Sequence, residues 1–363
     1  MKILLIDNSS LTPIGNKLFC DLRTGVFAKE LSDLGNNVAM YGQSVQKNNN
    51  NHSFDILSNN IKVYKLDRKK NKIINYILLY FYILPLVFKS DFVYIFYPSS
   101  FKYVAFICWF FRRPYGLYIR GQNDLKSKSS KFIYKRAFFI FTVADFFTNF
   151  VNRSNSNCNT VRPMISLSEK DIVSNRYYTR KNQYKILFLA RMAKEKGLNE
   201  LLQAIKILYK KGYDCKLELV GDGEYLPEAR VIIEELGIEK IVTIRGAISD
   251  SNVIKKLYLD SDIYILPTYH EGFPRTLYEA MIFGTPIITT FVGGISGIMK
   301  HNYNCLEIKP KSVVSIVDNL IYAFNNYSMM EILAKNAVST VKPIVDSSRP
   351  SHAQHLNILI NKD

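Results

Sequence analysis

The residues best suited to chemistry lie in "HEGFPRTLYEAMIFGTP", 270–286, where Glu271 and Glu279 stand eight positions apart around a Pro and an Arg. Pro274 suits the first turn of a helix, where its missing N–H costs nothing, and Gly284 suits the stop. A helix beginning there would offer the amides around Arg275, Thr276 and Leu277 as free donors, a ready anion site. Glu271 falls just before that site and Glu279 about one and a half turns into the helix. A ligand held by its phosphates would meet one carboxylate at each end. A second anion element is "ARMAKEKG" (190–197), in which Arg191 and Lys196 supply a fork and a point charge suited to a diphosphate. A third is "FVGGISG", where Gly293 and Gly294 permit close backbone approach. Each alone has an ordinary explanation: a solvated helix Glu, a surface Arg, a turn. Together, in this order, they require elements that bring three strand ends to one edge.

Those elements are legible. Short apolar runs at 185–190, 215–221, 241–245, 263–266, 286–290 and 304–308 alternate with helical patterns over about 197–211, 225–236 and 250–260. This alternation implies right-handed βαβ units, a parallel sheet of about six strands and a doubly wound domain over roughly 168–340. The first half repeats the pattern more loosely, with strands at "KILLID", "NNVAMYG", "IKVYKL", "FVYIFY" (92–97) and "YGLYIRG" (115–121) and a helix over about 22–34. A polar stretch at 163–182 reads as the linker, and "KNNNNH" (47–52) as an exposed loop. The expected organisation is a first domain at 1–165, a second at 166–340 and a tail at 341–363 that packs back on the first.

The chain has 363 residues, enough for two cores, and its 48% hydrophobic and 22% charged content is that of a folded protein. Five scattered cysteines, without metal-like spacing, argue against a zinc site or a disulfide framework and for a reducing compartment. "MKILLID" reads as a first strand rather than a signal peptide. The net charge of +17 is uneven: residues 1–180 carry 26 Lys/Arg against 11 Asp/Glu, residues 181–363 carry 22 against 20. A basic half suits an anionic surface, nucleic acid or phospholipid. No helix-turn-helix, zinc or RNP-like pattern supports nucleic acid. Three aromatic segments, 73–88, 103–111 and 131–147, fit either buried helices or a membrane-interfacial face flanked by Lys/Arg. The first is short for a spanning helix and contains Pro85. "DSD" (260–262) has a metal-binding form but precedes a strand instead of following one, so Asp262 reads as a strand-entry residue and no metal is assigned.

At this point the chain resembles a family. "EGFPRTLYE" matches the E-x7-E signature of family-4 retaining glycosyltransferases, and "LARMAKEKG", "LELVGDGEY" and "FVGGISGIM" follow that family's order. The resemblance is strong over 185–310 and implies the GT-B fold, two Rossmann-like domains facing each other across a cleft. It implies that Glu271 holds hydroxyls of the donor sugar and Glu279 the ribose, and that Arg191 and Lys196, helped by the amides of Thr276 and Leu277, neutralise a departing diphosphate. Gly293 and Gly294 would line the sugar–phosphate side, backbone near Ala247 would face the base, and Asp222 would be structural. Many members carry a His at the end of a first-domain strand, where "YIRGQND" has Arg120; an Arg is no base but would bind acceptor or phosphate. The glycine-rich first loop of the family is reduced to Gly15 in "SSLTPIGNK".

The expectation is therefore a metal-independent, retaining hexosyltransferase without cofactor. It would move a sugar from a UDP- or GDP-sugar to a lipid-linked oligosaccharide in bacterial surface-polysaccharide (O-antigen or capsule) assembly. Its place would be cytoplasmic, peripheral on the inner face of an anionic membrane. A GT-B-fold sugar-nucleotide epimerase is the alternative, and a nucleic-acid-modifying glycosyltransferase a more distant one.

Overall fold

A computed structural model describes residues 1–361 apart from 8–9, 46–51, 98–100, 122–124, 174 and 180, so most of the expected 47–52 loop lies outside the described residues. The chain divides into two units, Met1–Ser166 with Ser347–Asp363, and Leu167–Asp346.

In the first unit β1 (Lys2–Ile6) is followed by a hairpin of β2 (Thr12–Ile14) and β3 (Lys17–Asp21), then α1 (Leu22–Asp33) and β4 (Asn37–Ser44). Next come β5 (His52–Asp55), β6 (Lys62–Asp67), α2 (Lys72–Lys89) and β7 (Phe92–Tyr97). The series continues with α3 (Val104–Phe110), β8 (Tyr115–Ile119), α4 (Lys128–Arg136), β9 (Phe139–Thr142), α5 (Asp145–Val151) and β10 (Cys158–Thr160). Seven strands form one parallel sheet in the order β10-β9-β8-β7-β1-β4-β6, with the strand order reversing between β1 and β7. All six residues of β7 are buried, which is why "FVYIFY" is apolar throughout: helices cover both faces of the sheet. The strands β2, β3 and β5 make a small antiparallel sheet, with Gly15 in its hairpin turn at φ 56°.

The three aromatic segments divide in the structure. The first two are α2 and α3. The third is no single element: 131–147 spans the end of α4, the fully buried β9 and the start of α5, because its apolar run changes from helical to strand spacing after Ala137. Within α2, Leu79, Ile83, Leu86 and Val87 pack into the core, while Ile73, Ile77 and Phe81 on the opposite face are 71%, 64% and 69% exposed. Its 18 residues, of mean hydropathy 1.5, rise about 27 Å, so by length and composition alone, and contrary to the expectation from sequence, the helix is long and apolar enough to cross a membrane.

The second unit runs β11 (Tyr184–Leu189), α6 (Leu198–Lys210), β12 (Cys215–Val220), α7 (Leu226–Leu236), β13 (Val242–Gly246) and α8 (Ser251–Asp260). It continues with β14 (Ile263–Leu266), α9 (Arg275–Ile282), β15 (Ile287–Thr289), β16 (Leu306–Glu307), α10 (Val313–Asn325) and α11 (Tyr327–Val345). Its parallel sheet has the order β13-β12-β11-β14-β15-β16, reversing between β11 and β14. α11 carries this unit past residue 340, burying Val341 and Val345. Part of the stretch read as linker is also built in: Arg176 donates to the carbonyls of Tyr258 (3.0 Å), Phe283 (3.1 Å) and Ser261, and the Tyr178 hydroxyl to that of Gly284 (2.6 Å).

The last helix, α12 (His352–Ile360), belongs to the first unit. Ser351 and Gln354 close its N-terminus as a capping box. Buried His352 lies 2.6 Å from the Tyr94 hydroxyl and packs against Phe27, Tyr118 and Phe141.

Candidate functional site

In an open parallel sheet a ligand enters where the strand order reverses, beyond the carboxyl ends. In the second unit that point lies between β11 and β14, and the loops following them carry Arg191, Lys196 and Glu271. The loop after β11 ends in a short 3-10 turn, Lys194–Lys196, and then at Gly197, whose φ is 71°. A Cβ on Gly197 would overlap the Pro267 carbonyl oxygen, so glycine alone lets the two loops touch. The contact is fastened through Glu195, whose carbonyl accepts from the Tyr269 amide (2.7 Å) and the Thr268 hydroxyl (3.1 Å).

The result is an ion pair between Lys196 Nζ and Glu271 Oε1, with side chains only 14% and 13% exposed. These are two expected residues, 75 positions apart, brought into contact. An ammonium has three donors, so Lys196 can keep Glu271 and still meet an incoming anion. Arg191 stands apart from this pair. It is 59% exposed and bound to Glu195, with Glu224 at 3.7 Å.

α9 begins where expected. Pro274 is extended (φ −72°, ψ 130°) and Arg275 is the first helical residue, but only part of the anticipated amide set is free. The Leu277 amide donates to the Pro274 carbonyl at 3.1 Å, so it is withdrawn from any anion; tightening of the first turn consumes it. Thr276 is fixed through its side chain, its Oγ1 accepting from the Tyr264 hydroxyl at 2.6 Å. Glu279 Oε2 lies 3.0 Å from the Tyr258 hydroxyl, which is equally close to the Thr276 carbonyl. Burial, together with the Glu279 charge, raises the Tyr258 hydroxyl well above its ordinary value, so it stays a neutral donor.

Gly293 and Gly294 are buried in a 3-10 turn, Gly293–Gly297, and the Gly294 amide donates to the Gly272 carbonyl (2.7 Å). That bond ties the turn to the Glu271 loop and removes the Gly294 amide from ligand contact. Ala247 is exposed in the loop after β13. Asp222 is a loop organiser: its carboxylate accepts from the Gly223 amide (2.8 Å) and its carbonyl from the Met192 amide (2.9 Å). Asp262 sits just before β14, binding Lys181 Nζ (2.6 Å) and the Lys185 amide (2.8 Å).

In the first unit the corresponding reversal, β1 against β7, is marked by Asp7, which is 4% exposed. Its carboxylate accepts from the Thr24 hydroxyl (2.7 Å) and from Arg120 Nη2 (2.9 Å). The Arg120 guanidinium also lies over the Phe96 ring, 4.9 Å from its centre. Arg120 is therefore a paired cation at a strand end, and Gly15 an exposed hairpin residue. Asp7, Thr24, Tyr258 and Thr268 were missed by sequence reasoning. Asp7 alone had a signal, a charge closing the apolar run "KILLI".

Residues 169–340, nearly all of the second unit, match the family described as glycosyl transferases group 1. Among curated relatives, the 2-deoxystreptamine N-acetyl-D-glucosaminyltransferase of Niallia circulans is 31% identical over 174 residues, 48% of this chain and 43% of that protein. The putative teichuronic acid biosynthesis glycosyltransferase TuaC of Bacillus subtilis is 31% identical over 170 residues, 47% of this chain and 40% of that protein. The chain thus spans less than half the length of these relatives. Among solved structures, HepE of Anabaena in complex with UDP and glucose covers 100% of both chains, with a TM-score of 0.73 at 17% identity. The lipopolysaccharide outer core galactosyltransferase WaaB covers 99% of both, with a TM-score of 0.70 at 17% identity. The fold is therefore that of GT-B proteins, with two Rossmann-like units, and the second unit carries the group 1 glycosyltransferase match.

Proposed function

We propose that the chain is a retaining, metal-independent glycosyltransferase that uses a UDP- or GDP-sugar. The observation that carries this reading is the meeting of Lys196 and Glu271 at the strand reversal of a unit that also matches group 1 glycosyltransferases. A donor would lie with its diphosphate toward Lys196 and the start of α9, its sugar hydroxyls on Glu271 and its ribose on Glu279. As the bond from the sugar to the diphosphate breaks, negative charge gathers on the leaving group. Lys196, with Arg191 swung from its exposed carboxylate partners, stabilises that charge, a contribution that is largest where water is excluded. The acceptor hydroxyl then bonds to the sugar on the face the diphosphate left, giving up its proton to the departing phosphate oxygen.

The acceptor in this proposal is a lipid-linked saccharide at an anionic membrane surface, as in surface-polysaccharide assembly. Support comes from the outer face of α2 and α3: besides Ile73, Ile77 and Phe81 it exposes Trp109 and Phe110, with Lys69, Lys70 and Lys72 at one end and Lys89, Arg112 and Arg113 at the other. The rings of Phe88 and Phe111, 4.6 Å apart, join the two helices into one face. An interfacial segment needs this combination, and a sugar-nucleotide epimerase has no use for it. Incubation with single UDP- and GDP-sugars and a bacterial lipid extract tests the proposal. A lipid-soluble product whose new linkage keeps the donor's anomeric configuration is expected; epimerised nucleotide sugar without transfer would refute it.

A further inference from the structure

The loop from β6 into α2 borders a cavity that the chemistry of the second unit does not use. Its volume is about 830 Å³, and it opens at the carboxyl ends of β4 and β6, the edge at which parallel sheets take ligands. Lys65, Arg68, Lys69, Lys70 and Lys72 line it against one carboxylate, Asp67, which already accepts a hydrogen bond from the Ser44 hydroxyl. None of the five cations has an ion pair among the described residues. Gln43 lines the same space, and its Nε2 is buried with no hydrogen-bond partner among the described residues. A buried orphan donor beside unpaired cations is costly unless an acceptor-rich group arrives to share them.

The loop is held in place. Asn75, buried in the first turn of α2, accepts from the Lys69 amide at 2.9 Å, and Asn71 caps the helix through the amides of Ile73 and Ile74. The exposed apolar face of α2 starts at Ile73, one residue beyond Lys72, and proceeds through Ile77 to Phe81. A molecule with an anionic head and an apolar tail would place the head in the cavity and the tail along that face.

We propose that this cavity binds the phosphate or diphosphate group of the lipid that carries the acceptor sugar. The assignment rests on the lipid-linked acceptor proposed above and gives that acceptor a headgroup site on the first unit. Titration calorimetry on the full chain in neutral detergent, with farnesyl diphosphate, farnesol and inorganic pyrophosphate as probes, tests it. Farnesyl diphosphate should bind at least about tenfold more tightly than either other probe, because head and tail both contribute. The double variant Lys69→Ala/Lys70→Ala, altered at two exposed positions, should lose about tenfold for farnesyl diphosphate and nothing for farnesol. Unchanged binding in the variant would overturn the proposal. Pyrophosphate binding as tightly as the lipid would assign the cavity to a free phosphate and overturn the lipid part. UDP binding measured on the same samples keeps the two readings apart, since its failure would count against the donor site alone.

Discussion

Both units have a parallel sheet whose strand order reverses beside its own first strand, and each holds a cation–carboxylate pair there, with the cation after the first strand in the second unit and the carboxylate after it in the first. In the second unit the loop after β11 brings the cations Arg191 and Lys196; in the first, β1 ends in the buried carboxylate of Asp7, held by Thr24 and Arg120. The second unit is nearly neutral, and two of its cations, Arg191 and Lys196, stand in the loop beside the reversal. The first unit is strongly basic, but its surplus lies on helices and loops around an exposed apolar face. One Rossmann-like plan thus serves two tasks. An interior crevice can be selective for a small anion with two or three groups, whereas a large anionic surface is met by charge spread over many.

The largest effects belong to the crevice. Lys196→Ala and Glu271→Ala should each lower transfer roughly 10²–10³-fold, measured as kcat/KM with the preferred nucleotide sugar, while leaving vesicle binding untouched. Next in size is Gly197→Ala. Its left-handed φ and the overlap with the Pro267 carbonyl should cost about 3 kcal/mol in chemical denaturation, because no rotamer change relieves a backbone clash.

The first unit should show its own signature in acid. Burial first, then the charges of His355 and Arg120, pushes His352 down to about 3 from its ordinary 6.5. Below pH 6.5 the unfolded chain takes up a proton that the folded one refuses, so stability falls with pH across the window from 6.5 to 3. Between pH 7 and 5 the loss from this one group should be about 2 kcal/mol in urea titrations, with full stability at and above neutral pH. A smaller effect belongs to the α2 face. Ile77→Ser/Phe81→Ser should reduce partition to vesicles containing phosphatidylglycerol about tenfold and leave UDP binding unchanged.

Much of the second unit was legible because its signals are local. The apolar runs at 185–190 and 263–266, the proline that opens α9 and the glycine that closes it each act within a few residues. The Lys196–Glu271 contact was foreshadowed only by both residues following strands; the reason they touch, the absence of a Cβ at Gly197, appears once β11 and β14 are seen as neighbours. Less of the first unit could be read. β2, β3 and β5 are three to five residues long, too short for a period to mark them, and β3 pairs with β5 across more than thirty residues of chain. Arg176 sits in a polar stretch that looks like a linker, yet its guanidinium fills a ring of carbonyls 82 to 107 residues away. The Leu277 amide differs from its expected role for the same reason: a donor at a helix start is free only if no nearby carbonyl in space takes it.

The donor site is tested by calorimetric titration of the full chain with UDP and GDP, repeated on Lys196→Ala. One of the two nucleotides should bind the wild type, and the variant should bind it at least about tenfold more weakly, the loss of one charge-assisted contact to the diphosphate. Equal affinity in the two proteins, or no binding of either nucleotide to the wild type, would contradict it.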